Sequence, residues 1–268
     1  MKKTILALSL AALSVPALAQ GKKPEPEYTI TGNVGIFSDY RFRGISQTRL
    51  APALQGGFDL AHKSGFYVGN WNSNVSGEQY INGAGLEMDL YGGFKTSIAG
   101  IGLDLGTIYY YYPGAFQTAG GSDKYDNNEV YLGLSWGPVS FKTYYALTDY
   151  FGLKAATDDA SGINRTTGGS KNTLYYDLTL SYEIAPKLTG AFHAGRTEYK
   201  NYSGFNYYDY KIGVNYDMDG WILGLSYFTN TFDNSTLGKG FNTNAPTGMN
   251  SSKNLYKNGA VFSLTKTF

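Results

Sequence analysis

The sequence predicts an all-β chain that forms a transmembrane, antiparallel, up-and-down β-barrel of about 12 strands. Three observations predict this fold. Apolar and polar residues alternate, short connectors take turns with long ones, and the chain has 35 glycines, 25 tyrosines and only 16% charged residues. Alternation of this kind is typical of strands whose two faces meet different surroundings. Short turns at one end and long loops at the other are typical of bacterial outer-membrane barrels.

The N-terminus is predicted to be a secretory signal peptide over residues 1–19. A positive start is followed by an apolar run over residues 5–13, and Ala17 and Ala19 supply the small side chains that a signal peptidase needs. The apolar run is too short for a membrane helix, which needs roughly 20 residues. An exported chain is therefore expected.

The rest of the chain is divided into a tail and a barrel. Residues 20–27 are polar and interrupted by proline, so they are predicted to be a periplasmic tail, and residues 28–268 to be the barrel. Without the signal peptide the chain has 20 basic and 21 acidic residues, a balance that argues against a nucleic-acid partner. The absence of cysteine from the sequence excludes lipoprotein processing and a disulfide framework.

Twelve segments alternate clearly enough to be predicted as strands. In one of them Met88 and Leu90 share a face, while Glu87 and Asp89 share the opposite face. The predicted strands are 28–38, 53–61, 66–73, 86–95, 101–111, 128–136, 139–147, 173–184, 188–197, 206–216, 221–230 and 256–268.

The connectors and the apolar faces favour a membrane barrel over a soluble β-sandwich. Five connectors are short and six are long, as 12 strands with both chain ends on one side require. A sandwich would carry charges on its outer face, whereas these apolar faces lack charge in their middles and carry aromatic residues near their ends. The aromatic residues beside short turns are Phe94, Trp136, Tyr216 and Trp221, and those beside long loops are Tyr109, Tyr111, Tyr145, Tyr176 and Tyr227.

The C-terminal strand carries a separate signal. Ala260, Phe262 and Leu264 alternate with polar residues up to the terminal Phe268. This ending resembles the final-strand signal by which bacterial barrels are recognised, so we expect the outer-membrane barrel assembly machinery to be a partner through Phe268. Lys266 interrupts the face, but its apolar stem lets the ammonium reach the headgroup region.

Several motifs together resemble a known family. The chain contains "SDYRFRGISQT" at residues 38–48, followed by "PALQGGFDL", "SGFYVGNWNSNV" and the ending "LTKTF". These strings resemble the TorF family of porin-like proteins, also classified as the conserved proteobacterial family Gcw_chp, over essentially the whole mature chain. The resemblance implies an outer-membrane barrel with pore activity. It implies neither a particular solute nor a catalytic residue.

The stretch at residues 38–48 interleaves cations with aromatic residues. If the alternation of the first strand continues, Tyr40 and Phe42 belong to the outer aromatic girdle, and Arg41 and Arg43 project with Asp39 into the lumen at its external mouth. Three roles for the arginines stay open. They neutralise inward carboxylates and stiffen the wall, form one side of a charged constriction, or contact lipopolysaccharide phosphates.

The inward faces predict a charged lumen. The predicted pore-lining residues are Arg41, Arg43, Asp59, Glu87, Asp89, Asp104, Glu129, Lys142, Asp177, Asp209 and Lys211. Carboxylates are in excess on this wall, so a modest cation preference is expected. Inward tyrosines narrow the lumen further. We therefore expect an outer-membrane channel for passive diffusion of small solutes or ions, with outer-membrane lipid and lipopolysaccharide as surroundings. The alternative is a non-conducting structural or adhesive barrel that acts through its extracellular loops.

An enzyme is not expected, and neither a cofactor nor a metal site is predicted. The chain has two histidines, His62 in a predicted turn and His193 on an inward face. Ser181 on the preceding predicted strand could in principle lie near His193, but nothing around either residue resembles a nucleophile motif. The carboxylates of the long loops lack the spacing of a calcium loop and are interpreted as solvated charge.

Overall fold

A computed structural model shows a closed antiparallel barrel of 12 strands. It describes residues 26–77, 84–116, 123–154, 168–232 and 254–268. The predicted signal peptide and most of the predicted tail lie outside these residues and stay predictions. Among the residues that the structure describes, no helix is long and apolar enough to cross a bilayer.

The barrel strands follow the alternating segments closely. They are β1 (Tyr28–Phe37), β4 (Ala53–His62), β5 (Phe66–Asn74), β6 (Leu86–Ile98), β7 (Ile101–Tyr111), β8 (Asn127–Trp136), β9 (Val139–Ala146), β10 (Leu174–Ala185), β11 (Leu188–Glu198), β12 (Tyr207–Asp217), β13 (Trp221–Asn230) and β14 (Gly259–Thr267). Two short strands, β2 (Arg41–Phe42) and β3 (Ile45–Ser46), form a separate sheet. Twelve barrel strands confirm the predicted fold class.

The barrel closes where β1 pairs with β14. The register runs from Asn33 opposite Thr267 to Phe37 opposite Ser263. The backbones of Gly32 and Phe268 exchange two hydrogen bonds of 2.8 and 3.0 Å. A Cβ added to Gly32 would lie 2.5 Å from the Phe268 ring, so the terminal aromatic side chain fills the space that the glycine leaves. The C-terminal residue therefore completes the seam.

Turns of two or three residues connect the barrel strands at one end, which we call the short-turn end. Gly137 and Pro138, for example, join β8 to β9, and Met218, Asp219 and Gly220 join β12 to β13. All six longer connectors lie at the other end, the long-loop end, and both termini of the barrel lie at the short-turn end. The predicted asymmetry of the connectors is confirmed.

The outer surface is apolar, as the alternation predicted. Leu90 is 51% exposed and Leu178 is 38% exposed, while their neighbours Asp89 and Asp177 point inward. Aromatic side chains face outward at both ends. Trp136 and Trp221 lie at the short-turn end, and Tyr109, Tyr145 and Tyr227 at the long-loop end. The Lys266 ammonium turns to the short-turn end, where it donates to the Asp219 carbonyl at 3.3 Å.

The prediction that Tyr40 and Phe42 join the outer girdle is wrong. β1 ends at Phe37, and the chain then turns into the barrel. Tyr40 is only 6% exposed and packs edge-on against Trp71, and Phe42 packs against Tyr110 inside the barrel. Strand alternation predicts the direction of a side chain only while the chain is part of the barrel wall. Here the chain leaves the wall after Phe37, although the alternating pattern of residues continues beyond it.

Candidate functional site

Residues 38–52 form an inner hairpin inside the long-loop end of the barrel, built around β2 and β3. Asp39 organises it, because its carboxylate accepts hydrogen bonds from Ser46 Oγ at 2.6 Å and Thr48 Oγ1 at 3.0 Å and also binds Arg41 Nε. The turn passes through Gly44 at φ 81°, a conformation that favours glycine. A Cβ at Gly44 would lie 2.8 Å from Asp209 Cβ, so the turn is pressed against the barrel wall.

Arg43 joins the inner hairpin to the barrel wall. Its Nη1 donates to Glu129 Oε1 at 3.0 Å and to the Tyr150 hydroxyl at 2.6 Å, and its Nη2 donates to Glu129 Oε2 at 2.7 Å. Burial by itself lowers the pKa of Arg43. The adjacent Glu129 carboxylate raises it, and the raising effects outweigh burial, so the pKa lies well above its ordinary value. The guanidinium therefore stays protonated in this pair.

Aromatic rings surround the same guanidinium. Its central carbon lies 4.1 Å from the ring centroid of Tyr175, 5.1 Å from that of Tyr144 and 5.6 Å from that of Tyr150. Phe42 of the hairpin adds a ring at 4.8 Å. Cations over ring faces are attracted by the ring quadrupole, most strongly where water is excluded.

The rest of the inner hairpin is held by different partners. Arg41 Nη1 donates to the carbonyls of Leu255 at 3.3 Å and Lys257 at 2.9 Å, in the connector before β14. The Tyr40 hydroxyl donates to Glu87 Oε1 at 2.9 Å, and the Tyr207 hydroxyl donates to the Arg43 carbonyl at 2.9 Å. These contacts tie the hairpin to widely separated parts of the wall.

Four predicted pore-lining carboxylates lie on the inner face but are sealed from solvent. Glu87, Asp89 and Glu129 are 0% exposed and Asp209 is 3% exposed. Three of them contact the inner hairpin, through Tyr40, Arg43 and Gly44. Within the described part of the chain, both carboxylate oxygens of Asp89 and Oε2 of Glu87 lack a hydrogen-bond partner. Buried carboxylates of this kind are costly when ionised.

A second group of charges lies nearer the short-turn end and is partly exposed. Lys142 Nζ donates to Asp104 Oδ2 at 2.8 Å, and the Tyr67 hydroxyl donates to Asp104 Oδ1 at 2.6 Å. Lys142 Nζ also lies 4.4 Å from the Tyr131 ring centroid. Lys95, which is not among the predicted pore-lining residues, places its Nζ 4.3 Å from the Tyr67 ring centroid. The alternation that directs Glu87 inward also directs Lys95 inward, so the signal was present.

Of the remaining predicted pore-lining residues, Asp177 and Lys211 lie beside the inward His193, and Asp59 lies beside a tyrosine. His193 lies between two carboxylates, with Nδ1 3.2 Å from Asp177 Oδ1 and Nε2 2.9 Å from Asp209 Oδ1. Lys211 is the register partner of His193, and both are partly buried. Asp59 accepts a hydrogen bond from the Tyr91 hydroxyl at 2.7 Å. Both nitrogens of His193 face carboxylates, an arrangement that suits a structural network better than a nucleophile–base pair.

Inward tyrosines lie along the wall where the neighbouring strand has glycine. Gly69 is opposite Tyr91 and Gly106 is opposite Tyr131. A Cβ at Gly69 would lie 2.3 Å from Tyr91 Cε2, and one at Gly106 would lie 2.4 Å from the Tyr131 hydroxyl oxygen. The rings therefore occupy the space above the glycines. They narrow the lumen less than rings directed at the barrel axis would.

A family model matches residues 21–268, and it is described as "Bacterial protein of unknown function (Gcw_chp)". The chain belongs to the Gcw_chp family. No curated protein matches the chain. In the described residues, no group of three or more His, Cys, Asp or Glu side chains is placed to hold a metal ion.

Solved structures of outer-membrane proteins show a distant likeness. The chain is similar to the KdgM porin with a TM-score of 0.46 and 8% identity, over 89% of this chain and 97% of that one. It is also similar to an outer membrane channel from Pseudomonas putida F1, with a TM-score of 0.45 and 11% identity over 92% and 100% of the two chains. For OpdK from Pseudomonas aeruginosa the TM-score is 0.39 at 10% identity, over 92% of this chain and 66% of that one.

Proposed function

We propose that the chain is a bacterial outer-membrane barrel that works as a porin-like channel for passive diffusion of small solutes or ions. One observation carries the proposal: a closed wall of 12 strands separates an apolar outer surface from an inner surface that bears partly exposed charges. An apolar outside suits lipid, and a charged inside suits water and polar solutes. The sequence motifs also resemble the TorF family of porin-like proteins, and we include membership of that family in the proposal.

The inner hairpin supports a channel that is restricted at the long-loop end. Tyr40 and Arg43 lie inside the barrel with exposures of 6% and 8%, so any solute has to pass beside the hairpin or displace it. The short-turn half, which contains Lys95, Asp104 and Lys142, is partly exposed. We propose that the long-loop end is extracellular and that the hairpin restricts passage there.

The proposed selectivity depends on the charges that water can reach. The modest cation preference was expected from an excess of inward carboxylates, and four of those carboxylates are buried beside the hairpin. The partly exposed charges are the carboxylates of Asp59, Asp104 and Asp177, the ammonium groups of Lys95, Lys142 and Lys211, and the imidazole of His193. This balance supports weak selectivity, with the cation preference at most modest.

The second candidate is a non-conducting structural or adhesive barrel. The aromatic packing at the long-loop end favours it, because Tyr150, Tyr202, Phe205 and Tyr256 form a buried cluster above the lumen together with other aromatic side chains. Such a cluster resembles a protein core more than a water-filled entrance. A barrel closed in this way would act through its extracellular loops.

Conductance in planar lipid bilayers separates the two candidates. The wild-type chain is compared with a variant in which residues 39–49 are replaced by a short Gly-Ser linker. A control variant carries a Gly-Ser replacement of Lys63 and Ser64, in an exposed turn at the short-turn end. A channel restricted by the hairpin predicts small wild-type conductance, larger conductance in the hairpin variant and no change in the control. Silence of both wild type and hairpin variant would contradict the channel and favour the non-conducting barrel.

A further inference from the structure

Arg43 fills a site that has the composition of a receptor for an organic cation. Both oxygens of Glu129 accept from its two terminal nitrogens, and the faces of Tyr144 and Tyr175 lie against the guanidinium. A planar guanidinium matches a carboxylate through two parallel hydrogen bonds and also stacks on aromatic faces. Sodium or ammonium ions can balance the charge but cannot reproduce this fit.

The groups that surround Arg43 belong mainly to the barrel and not to the hairpin. Glu129 lies on β8, Tyr144 on β9 and Tyr175 on β10, and Tyr150 lies in the connector between β9 and β10. We call these four residues the guanidinium cage. Because the cage does not include a hairpin residue, all four of its side chains are still present when Arg43 is replaced or the hairpin withdraws.

Glu129 makes the cage strongly favour a bound cation. It is 0% exposed, and besides Arg43 it accepts a hydrogen bond from the Tyr110 hydroxyl at 3.2 Å. Removing the cation from such a pair leaves an uncompensated buried charge, which is strongly destabilising. A solute that restores both the charge and the two parallel hydrogen bonds is therefore bound in preference to one that restores the charge alone.

We propose that the guanidinium cage is a binding site for guanidinium-bearing solutes and that Arg43 occupies it here as an internal ligand. In the wild-type chain such a solute competes with Arg43 and favours withdrawal of the inner hairpin. This consequence for the hairpin rests on the proposed channel, whereas binding to the cage does not. The ligand class is the planar guanidinium group on a small carrier.

The test uses the full chain in detergent with Arg43→Ala, which empties the cage. The probes are ethylguanidinium chloride and sodium chloride at the same millimolar concentrations. Binding to the folded state alone, at ten times the dissociation constant, is expected to raise the Tm of this variant by about 3–6 °C with ethylguanidinium. Sodium should produce a much smaller rise. Adding Glu129→Gln to Arg43→Ala should abolish the difference between the two salts.

Arg41→Ala is the matched control. Arg41 also carries a guanidinium in the same hairpin, but its described partners are Asp39 and backbone carbonyls. Its variant keeps Arg43 in the cage and should show a much smaller difference between the two salts than Arg43→Ala does. Equal responses of Arg43→Ala to ethylguanidinium and sodium, or an equal preference for ethylguanidinium in Arg41→Ala, would overturn the proposal.

If Arg43→Ala does not fold without an added salt, the refolding yield tests the proposal instead. The variant is then refolded into detergent with either salt, and the folded fraction is measured. Recovery with ethylguanidinium but not with sodium supports the cage, and equal yields contradict it. These measurements do not depend on ion conductance. A barrel that does not conduct would therefore contradict the proposed channel but would not test whether the cage binds guanidinium.

Discussion

Arg43 and Glu129 form a buried, two-point ion pair that connects the inner hairpin to the far side of the barrel. The two residues are 86 positions apart in the chain, and their nitrogen–oxygen distances are 3.0 and 2.7 Å. β8, which carries Glu129, lies five strands around the barrel from β1, from which the hairpin begins. The hairpin therefore reaches across the lumen, and the pair fixes it to the opposite wall.

Breaking this pair from one side should be costly. We expect Arg43→Gln or Glu129→Gln to destabilise the barrel by about 3–5 kcal/mol, because each leaves a buried charge without its partner. The double variant should lose clearly less than the sum of the two single losses. Denaturant unfolding in lipid or detergent measures all three. The more exposed pair of Arg196 and Glu198 is the control, and its rupture should cost about 0–1 kcal/mol.

The fit between tyrosines and glycines predicts a size limit on the inner wall. Gly69→Ala should destabilise the barrel by about 1–3 kcal/mol, because the new methyl group would collide with the Tyr91 ring. Gly190→Ala is the control on β11, where the nearest atom lies 3.4 Å from the added Cβ. Thermal unfolding of both variants checks the prediction. Equal loss at the two positions would show that strand glycine itself, and not the ring, sets the cost.

The two faces of β6 should respond oppositely to charge. Leu90→Arg places a cation on the outer face and should cost about 2–4 kcal/mol if that face meets the bilayer core, whereas Leu90→Phe should be tolerated. Asp89→Asn should be neutral or stabilising, because both carboxylate oxygens of Asp89 are buried without described hydrogen bonds. Folding titrations into lipid vesicles measure these differences. Tolerance of Leu90→Arg would argue against contact between this face and lipid.

The partly exposed lysines should control ion selectivity. Replacing Lys95 and Lys142 together with Gln removes two ammonium groups from the short-turn half and leaves Asp59 and Asp104 there. Cation preference should therefore increase, since charge lining a narrow lumen concentrates the opposite ion. Reversal potential under a salt gradient gives the direction. Lys63→Gln, in an exposed turn outside the lumen, should leave it unchanged, and an unchanged double variant would place both lysines off the conduction path.

The positions of the connectors predict the orientation in the membrane. A protease site inserted at Gly204, in a long connector, should be cleaved on intact cells, because the long-loop end is proposed to be extracellular. A site inserted at Gly220, in a short turn, should be protected until the outer membrane is opened. Immunoblotting after protease treatment distinguishes the two. The reverse pattern would invert the proposed orientation.

The barrel itself could be predicted from local patterns. β6 and β10 alternate so regularly that the sequence alone predicts Leu90 and Leu178 outward and Asp89 and Asp177 inward, as the structure shows. This succeeds because the direction of a side chain in a strand depends only on its position along that strand. The same rule directs Lys95 inward, because it lies an even number of residues from Asp89 on the same strand.

The inner hairpin could not be predicted in this way. Continued alternation placed Tyr40 and Phe42 in the outer girdle, whereas both lie inside the barrel. The chain leaves the wall after Phe37, and contacts with distant residues hold it inside. Glu129 and Leu255, for example, lie 86 and 214 positions from the arginines that they bind.

The sequence by itself therefore determined the number of strands, the end at which each connector lies and the face of each strand residue. Period-2 geometry and turn length act within a few residues, so a single chain displays them. Only the tertiary structure decided that Arg43 fills an aromatic cage and that four inward carboxylates are sealed from solvent. Those outcomes depend on which side chains meet across the lumen, and no local pattern carries that information.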